Sequence, residues 1–306
     1  MNPKIKVVGV GGSGSNTISR MFASSLFGVH FVSFNTDAQA LDVSKADKKI
    51  LIGKNITKGL GTGMDANLGN LAANEDREEI LENLKGSDIV FITCGLGGGT
   101  GSGAGPVIAE LSKSLGILTI AAVTMPFSFE GLERERVAKK ALEELRGKVD
   151  SLLVIKNDNI LKIIDEKTTV SNAFEICDKI LYDAIKSIMD FILNPGIISI
   201  DFASVSSFLK NSGVILFGTA KAQGEQRMEK AAQAAIDSPL LDFSIKGSKG
   251  ILLNISGKNT TLTEVKKAVG YITESIGSNT NIIFGTSKDH TLLRDEIKIT
   301  LIATKS

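Results

Sequence analysis

Short apolar runs alternate along the first half of the chain with segments whose apolar residues recur at helical spacing. The runs are rich in Val, Ile, Leu and Phe and begin near residues 4, 29, 89, 117 and 151. Buried strands that alternate with helices are typical of a mostly parallel sheet. The pattern predicts a doubly wound α/β domain with ligands at the carboxyl ends of its strands.

A long segment from 170 to 193 carries apolar residues on two faces, which predicts a helix buried on two sides. Asn194-Pro-Gly196 would end it. Four later apolar runs, separated by two amphipathic segments, predict a smaller α+β domain. Residues 57–74 are rich in glycine and asparagine and show little periodicity, so we expect a surface loop there. The expected domains are a nucleotide-binding domain at 1–169, a central helix at 170–195 and a C-terminal assembly domain at 196–306.

Two glycine-rich segments follow predicted strands. The first glycine segment is Gly9–Asn16 and the second is Gly95–Gly105. Glycine permits positive φ and close approach of an anion to backbone N–H groups, and a following helix N-terminus adds further donors. Thr100 and Ser102 can also donate hydroxyls. The predicted ligand is a di- or triphosphate, although the lysine of the GxxxxGK[ST] loop is missing.

An NAD-dependent oxidoreductase is the alternative interpretation of the first glycine segment. Gly9-x-Gly11-x-x-Gly14 matches the dinucleotide fingerprint, and Asp37 lies at about the right distance for a ribose-binding acid. The second glycine segment counts against this alternative, because a dinucleotide fold needs only one pyrophosphate site.

Composition argues against several other classes of protein. The net charge is +1, there is no Trp, and no basic run interleaves with aromatic residues, so we expect neither nucleic acid nor a membrane surface as partner. We expect no signal peptide or transmembrane segment, and hence a cytoplasmic protein. Cys94 and Cys177 form no CxxC pair, and His30 and His290 have no neighbour at metal-ligand spacing. We therefore predict no metal ligands and no Ser–His–Asp triad.

The two glycine segments, Asn35–Gln39, Pro126–Gly131 and the long helix together resemble the FtsZ family, prokaryotic tubulin-like GTPases of cell division. The resemblance covers nearly all of residues 4–304. It implies a protein that binds GTP or GDP, polymerises head to tail with copies of itself and hydrolyses GTP at the subunit interface, in a cytoplasmic ring at the division site. The alternative within this class is a GTP-binding scaffold with little or no hydrolysis.

The resemblance also implies which residues bind the nucleotide. They are Gly11, Gly12, Ser13, Gly14, Asn16, Gly98, Gly99, Thr100, Gly101, Glu130, Arg134, Asn157, Phe174 and Asp178. Phe174 would stack on guanine and Asp178 would accept its N1–H and N2–H. The two residues are one helical turn apart, so both can reach one base. The alternative is that Phe174 belongs to the core and Asp178 is a solvated charge.

One segment departs from the family pattern. The loop that completes the neighbouring subunit's site in FtsZ reads roughly Asn-x-Asp-Phe-Ala-Asp, whereas this chain has Ser199-Ile-Asp-Phe-Ala-Ser204. The resemblance implies catalytic roles for Asp201 and Ser204, with Mg²⁺ or a monovalent cation as a further cofactor at the interface. A serine lacks the charge of an aspartate, so we expect slow hydrolysis.

The family usually carries a disordered linker and an adaptor-binding peptide after the last strand, and this sequence stops at Ser306. We therefore expect division-protein adaptors as partners only if such a tail has been removed.

Overall fold

The computed structural model describes residues 3–23, 28–165, 167–193, 198–238, 244–277, 280–287, 289 and 291–304. It divides into two compact units, Met1–Ile185 and Lys186–Ser306, so the division falls within the long helix. The functional boundaries at 169/170 and 195/196 stay a prediction. No helix in these described ranges combines the length and the apolar character that crossing a membrane requires.

The first unit contains a parallel sheet. Its strands are β1 (Ile5–Val10), β2 (Val29–Asn35), β3 (Lys48–Leu51), β4 (Ile89–Gly95), β5 (Leu118–Met125) and β6 (Ser151–Lys156). Their order is β3-β2-β1-β4-β5-β6, and each neighbouring pair is parallel. The predicted doubly wound sheet is confirmed, and β3 is an addition to it. The strand order reverses between β1 and β4, where such sheets bind their ligands.

Eight α-helices belong to the described part of the first unit, and a ninth, the long helix α9, begins in it. They are α1 (Gly11–Ala23), α2 (Ala38–Val43), α3 (Lys54–Thr57), α4 (Ala66–Glu75), α5 (Arg77–Leu84), α6 (Gly99–Ser114), α7 (Leu132–Arg146), α8 (Asn157–Ile160) and α9 (Val170–Leu193). One core joins strand residues such as Val8, Ile92 and Val123 to Ile80 of α5 and Ile108 of α6. The predicted end of the long helix at 194–196 lies outside the described residues.

The surface loop predicted at 57–74 is wrong, because most of that segment is helical. Asp65 caps α4 by accepting a hydrogen bond from Asn67 N at 2.8 Å. The buried face of α4 consists of Gly69, Ala72 and Ala73. Such small side chains give little hydrophobic periodicity, which is why the sequence pattern did not reveal the helix.

Most of the second glycine segment is helical, since α6 begins at Gly99. Its glycines allow close packing. A Cβ on Gly103 would lie 2.0 Å from Ala66 O of α4, and one on Gly101 would lie 2.6 Å from Gly95 O. The helix N-terminus can therefore lie directly against β4 and α4.

The second unit is an α+β unit, as predicted. Its elements are α10 (Phe202–Leu209), β7 (Gly213–Gln223), α11 (Arg227–Ile236), β8 (Gly250–Gly257), α12 (Leu262–Ile276), β9 (Asn281–Ser287) and β10 (Glu296–Thr304). The strand order is β7-β10-β8-β9, with β10 antiparallel to both neighbours and β8 parallel to β9. Alanines of α11 and apolar residues of α12 pack on strand residues such as Leu253 and Ile299.

Candidate functional site

A cavity of about 460 Å³ lies in the first unit at the carboxyl ends of β1 and β4. It brings together all the predicted nucleotide-binding residues except Gly14. The lining residues are Val10, Gly11, Gly12, Ser13, Asn16, Thr62, Gly95, Leu96, Gly98, Gly99, Thr100, Gly101, Thr124, Pro126, Glu130, Arg134, Asn157, Phe174, Cys177 and Asp178.

One end of the cavity is formed by two helix N-termini. α1 begins at Gly11 and α6 at Gly99, so both glycine segments present backbone N–H groups. A Cβ on Gly11 would lie 3.0 Å from Gly101 N, which shows how closely the two segments approach each other. A Cβ on Gly12 or Gly98 would meet no atom within 4 Å, because both face open space. Paired helix N-termini around open space are suited to phosphate groups.

Three threonine hydroxyls lie together at this end. Thr100 Oγ1 is 2.7 Å from Thr36 Oγ1 and 3.5 Å from Thr62 Oγ1, and all three residues are buried. Ser102, which the sequence also offered as a phosphate donor, instead accepts a hydrogen bond from Gly97 N at 2.9 Å and does not line the cavity. Of the two hydroxyls suggested from the sequence, only that of Thr100 faces the ligand space.

Glu130 and Arg134 lie on another side of the cavity and form an ion pair with each other. Glu130 Oε1 also accepts a hydrogen bond from Phe127 N at 2.8 Å, which fixes the turn before α7. The Glu130 side chain is only 10% exposed and that of Arg134 is 38% exposed. The arginine is therefore the member of the pair that can move towards a polar ligand.

The lining of the cavity also includes an aromatic ring and a carboxylate on α9. Phe174 is 39% exposed, with its ring edge-on to Phe127 at 5.3 Å between centroids, so it is not a core residue. The Asp178 side chain is 13% exposed and is not a solvated charge. Its Oδ1 accepts from Thr17 Oγ1 at 3.0 Å, and its Oδ2 lies 3.3 Å from Arg20 Nε. Both sequence-based alternatives for this pair are therefore excluded.

Burial raises the pKa of Asp178, and the Thr17 hydrogen bond and the Arg20 charge oppose that rise. Asn157 is buried nearby, and its side-chain oxygen has no hydrogen-bond partner among the described residues. A buried polar group without a partner is costly. Because Asn157 lines the cavity, a ligand can supply the missing hydrogen bond.

Two residues that the sequence singled out lie away from the cavity. A Cβ on Gly14 would lie 2.4 Å from Thr93 O, so this glycine allows α1 to pack against the sheet. Asp37 caps α2 by accepting from Ala40 N at 3.0 Å and does not line the cavity. Asp37 is therefore not available as the ribose-binding acid that a dinucleotide site needs.

Several lining residues were missed in the sequence. They are Val10, Thr62, Gly95, Leu96, Thr124, Pro126 and Cys177. Thr62 lies in the segment interpreted as a surface loop. Gly95, Thr124 and Pro126 lie at the ends of predicted strands, and that position could have identified them as cavity residues. Burial raises the pKa of the Cys177 thiol to about 12, so this thiol is protonated.

Asp201 and Ser204 lie in the second unit at the start of α10. Asp201 is the N-cap, and its Oδ1 accepts from Ser204 N at 2.6 Å. Hydrogen bonds from the Ser204 backbone and side chain lower the pKa of Asp201, which is exposed and ionised at neutral pH. Ser204 therefore lies in the first turn of α10, directly after its N-cap Asp201.

The strand order, the paired helix N-termini and the cavity define a tubulin-type nucleotide-binding protein. The GTPase-domain profile of the Tubulin/FtsZ family matches residues 4–165, and the C-terminal-domain profile of the FtsZ family matches residues 213–306. The chain is 46% identical to cell division protein FtsZ 2 of Rhizobium meliloti, covering 99% of this chain and 88% of that protein. It is 45% identical to cell division protein FtsZ of Wolbachia, covering 99% and 80%. The chain therefore belongs to the FtsZ family of cell-division GTPases.

Solved structures agree with this assignment. An FtsZ dimer of M. jannaschii without ligand superposes with a TM-score of 0.93 at 41% identity, covering 99% of this chain and 88% of that one. CetZ1 of Haloferax volcanii, a GDP-bound monomer, has a TM-score of 0.86 at 21% identity, with coverages of 99% and 94%, and shows the shared fold. Nothing in these matches supports the NAD-dependent alternative. Polymerisation is typical of the family.

Proposed function

We propose that the cavity binds GTP and GDP through the predicted residues that line it, which are all of them except Gly14. One observation carries the proposal: a half-exposed ring, a buried carboxylate and an unpartnered amide oxygen face the same cavity as two helix N-termini. Asp178 can accept from the two adjacent N–H donors of guanine, whereas adenine presents no matching pair. Phe174 offers a face for stacking.

Nucleotide titration tests this assignment. The protein should bind GTP and GDP more tightly than ATP, and NAD should not bind. Losing a charge-assisted contact costs about 2–3 kcal/mol, so Asp178→Ala should weaken GTP binding by roughly 30–150-fold and reduce discrimination against ATP. Asp42→Ala, which removes an exposed aspartate of α2 outside the cavity, is the control. Equal native affinity for ATP would contradict the proposal.

We further propose that GTP-bound subunits join head to tail. The M. jannaschii FtsZ solved as a dimer supports self-association. Large apolar side chains within two sequence positions of cavity residues are exposed: Leu60 is 82%, Phe129 62% and Leu132 84% exposed. Exposed apolar groups around a ligand site are typical of an interaction surface. Sedimentation with GTP, with GDP and without nucleotide tests this step. A protein that stays monomeric at high concentration with GTP and Mg²⁺ would refute it.

In such a filament, Asp201 and Ser204 of one subunit would act on the nucleotide of the next. The ionised Asp201 can polarise water, and the Ser204 hydroxyl can orient it without adding charge. Carboxylate and hydroxyl oxygens are also the ligands that Mg²⁺ and similar hard cations prefer. We therefore propose slow hydrolysis and persistent filaments in a cytoplasmic division ring. Phosphate release measured in the sedimentation samples separates this from the scaffold alternative, which predicts filaments without turnover.

A further inference from the structure

Asp178 has two protein partners that do not line the cavity. Thr17 and Arg20 lie on α1, behind the carboxylate, and each contacts a different oxygen of it. Thr17 is completely buried, and its hydroxyl also lies 3.1 Å from Ser13 O. A threonine hydroxyl has a single proton, so it can bond fully to only one of these acceptors at a time. The ionised carboxylate is the stronger acceptor.

We propose that Thr17 and Arg20 are positioning residues for guanine recognition, which hold the Asp178 carboxylate in the one orientation that accepts both N1–H and N2–H of the base. This inference rests on the proposed nucleotide function. Thr17 fixes Oδ1 and Arg20 fixes Oδ2, so the carboxylate cannot rotate about its terminal bond. Each oxygen keeps a free lone pair for the ligand, because a carboxylate offers about four acceptor sites.

The two contacts also favour the charged form that recognition needs. Burial raises the pKa of Asp178 and favours the neutral acid, in which one of the two acceptor oxygens becomes an O–H donor. The charged groups that act on Asp178 are Arg20 of α1, which opposes this rise, and Glu175 of its own helix, which adds to it. Arg20 Nη2 also lies 3.7 Å from Glu175 Oε1, so the arginine offsets that charge as well.

The test compares GTP with inosine triphosphate, which has the N1–H group but lacks the 2-amino group. Native protein should prefer GTP. Thr17→Val keeps the shape and the β-branch but removes the hydroxyl, and should weaken GTP binding about tenfold while inosine triphosphate binding changes little. Thr17→Ser should restore the preference. Thr273→Val is the matched control, because Thr273 also bonds back to a helix carbonyl, at 2.7 Å, but lies in α12.

A double-mutant cycle shows whether Thr17 acts through Asp178. In an Asp178→Ala background, Thr17→Val should cause no further loss of GTP affinity. A general packing defect would instead weaken GTP and inosine triphosphate equally in both backgrounds, and that result would overturn the inference.

Arg20→Gln supplies a second arm that is independent of the core, because the Arg20 side chain is 46% exposed. GTP affinity falls at low pH as Asp178 becomes protonated, and this variant should move that fall to higher pH than in native protein. If Thr17→Val does not fold, this arm decides. If Thr17→Val and Arg20→Gln both kept the native selectivity and pH profile while Asp178→Ala lost the selectivity, the positioning role would be refuted and the proposed function would stand. A native protein that does not bind GTP would refute the proposed function instead.

Discussion

Ser204→Asp is the sharpest test of how this chain hydrolyses GTP. Asp201 caps α10, and one of its carboxylate oxygens is engaged by Ser204 N at 2.6 Å. The residue at position 204 lies in the first turn of the same helix. An aspartate there would place a second carboxylate beside the first, where the native protein has a neutral hydroxyl.

The expected gain follows from the electrostatic role of such a group. Removing one positioned electrostatic group from a reacting site typically lowers the rate about 10²–10³-fold. The native hydroxyl can still orient water, so Ser204→Asp should recover only part of this rate factor. We expect it to increase the rate of phosphate release about 10–100-fold. The new charge and the lost hydroxyl donor raise the pKa of Asp201, since both effects disfavour its ionised form. Asp201 nevertheless starts from a lowered pKa and stays ionised at neutral pH.

Phosphate release should be measured under polymerising conditions at several protein concentrations, since the proposed role of the acid is in the site of the neighbouring subunit. Ser207→Asp places the same charge on an exposed position of α10 and is the matched control. Ser199→Asn combined with Ser204→Asp should increase the rate further. An unchanged rate with Ser204→Asp, or an equal rise with Ser207→Asp, would show that the segment does not limit hydrolysis.

Two further predictions concern stability. Gly103→Ala should lower the free energy of unfolding by about 3 kcal/mol in urea titration, because its Cβ would lie 2.0 Å from Ala66 O. Gly270→Ala in α12 is the control: its Cβ would meet no atom within 4 Å, so it should raise that free energy by up to about 1 kcal/mol. Equal effects of the two substitutions would refute the packing argument. Hydrogen bonds from Arg227, and also from Thr261, hold the pKa of Glu264 at about 2, below its ordinary 4.5. Because solvent screens this ion pair, Glu264→Gln should cost about 1–2 kcal/mol at neutral pH. The difference should shrink as the pH falls from about 4.5 to about 2, and a constant difference would contradict the ion pair.

The sequence alone determined the parallel sheet, the long helix and most of the cavity. Buried parallel strands appear in the sequence as continuous apolar runs, and the carboxyl ends of such strands meet at one edge of the sheet. Residues that follow these runs, such as Gly11, Thr100 and Asn157, could therefore be assigned to one site from the sequence. The proposed roles of Phe174 and Asp178 came from the family resemblance and from their spacing of one helical turn.

Only the tertiary structure decided the remaining features. It revealed α4, whose small buried residues pack against α6. These residues give no hydrophobic period, so the sequence pattern did not show the helix. It placed Thr62 in the cavity, Gly14 outside it, and Thr17 and Arg20 behind Asp178. These relations join residues far apart in the chain, and such contacts depend on how helices pack on the sheet. A local pattern reports only the spacing within one element, so it cannot contain them.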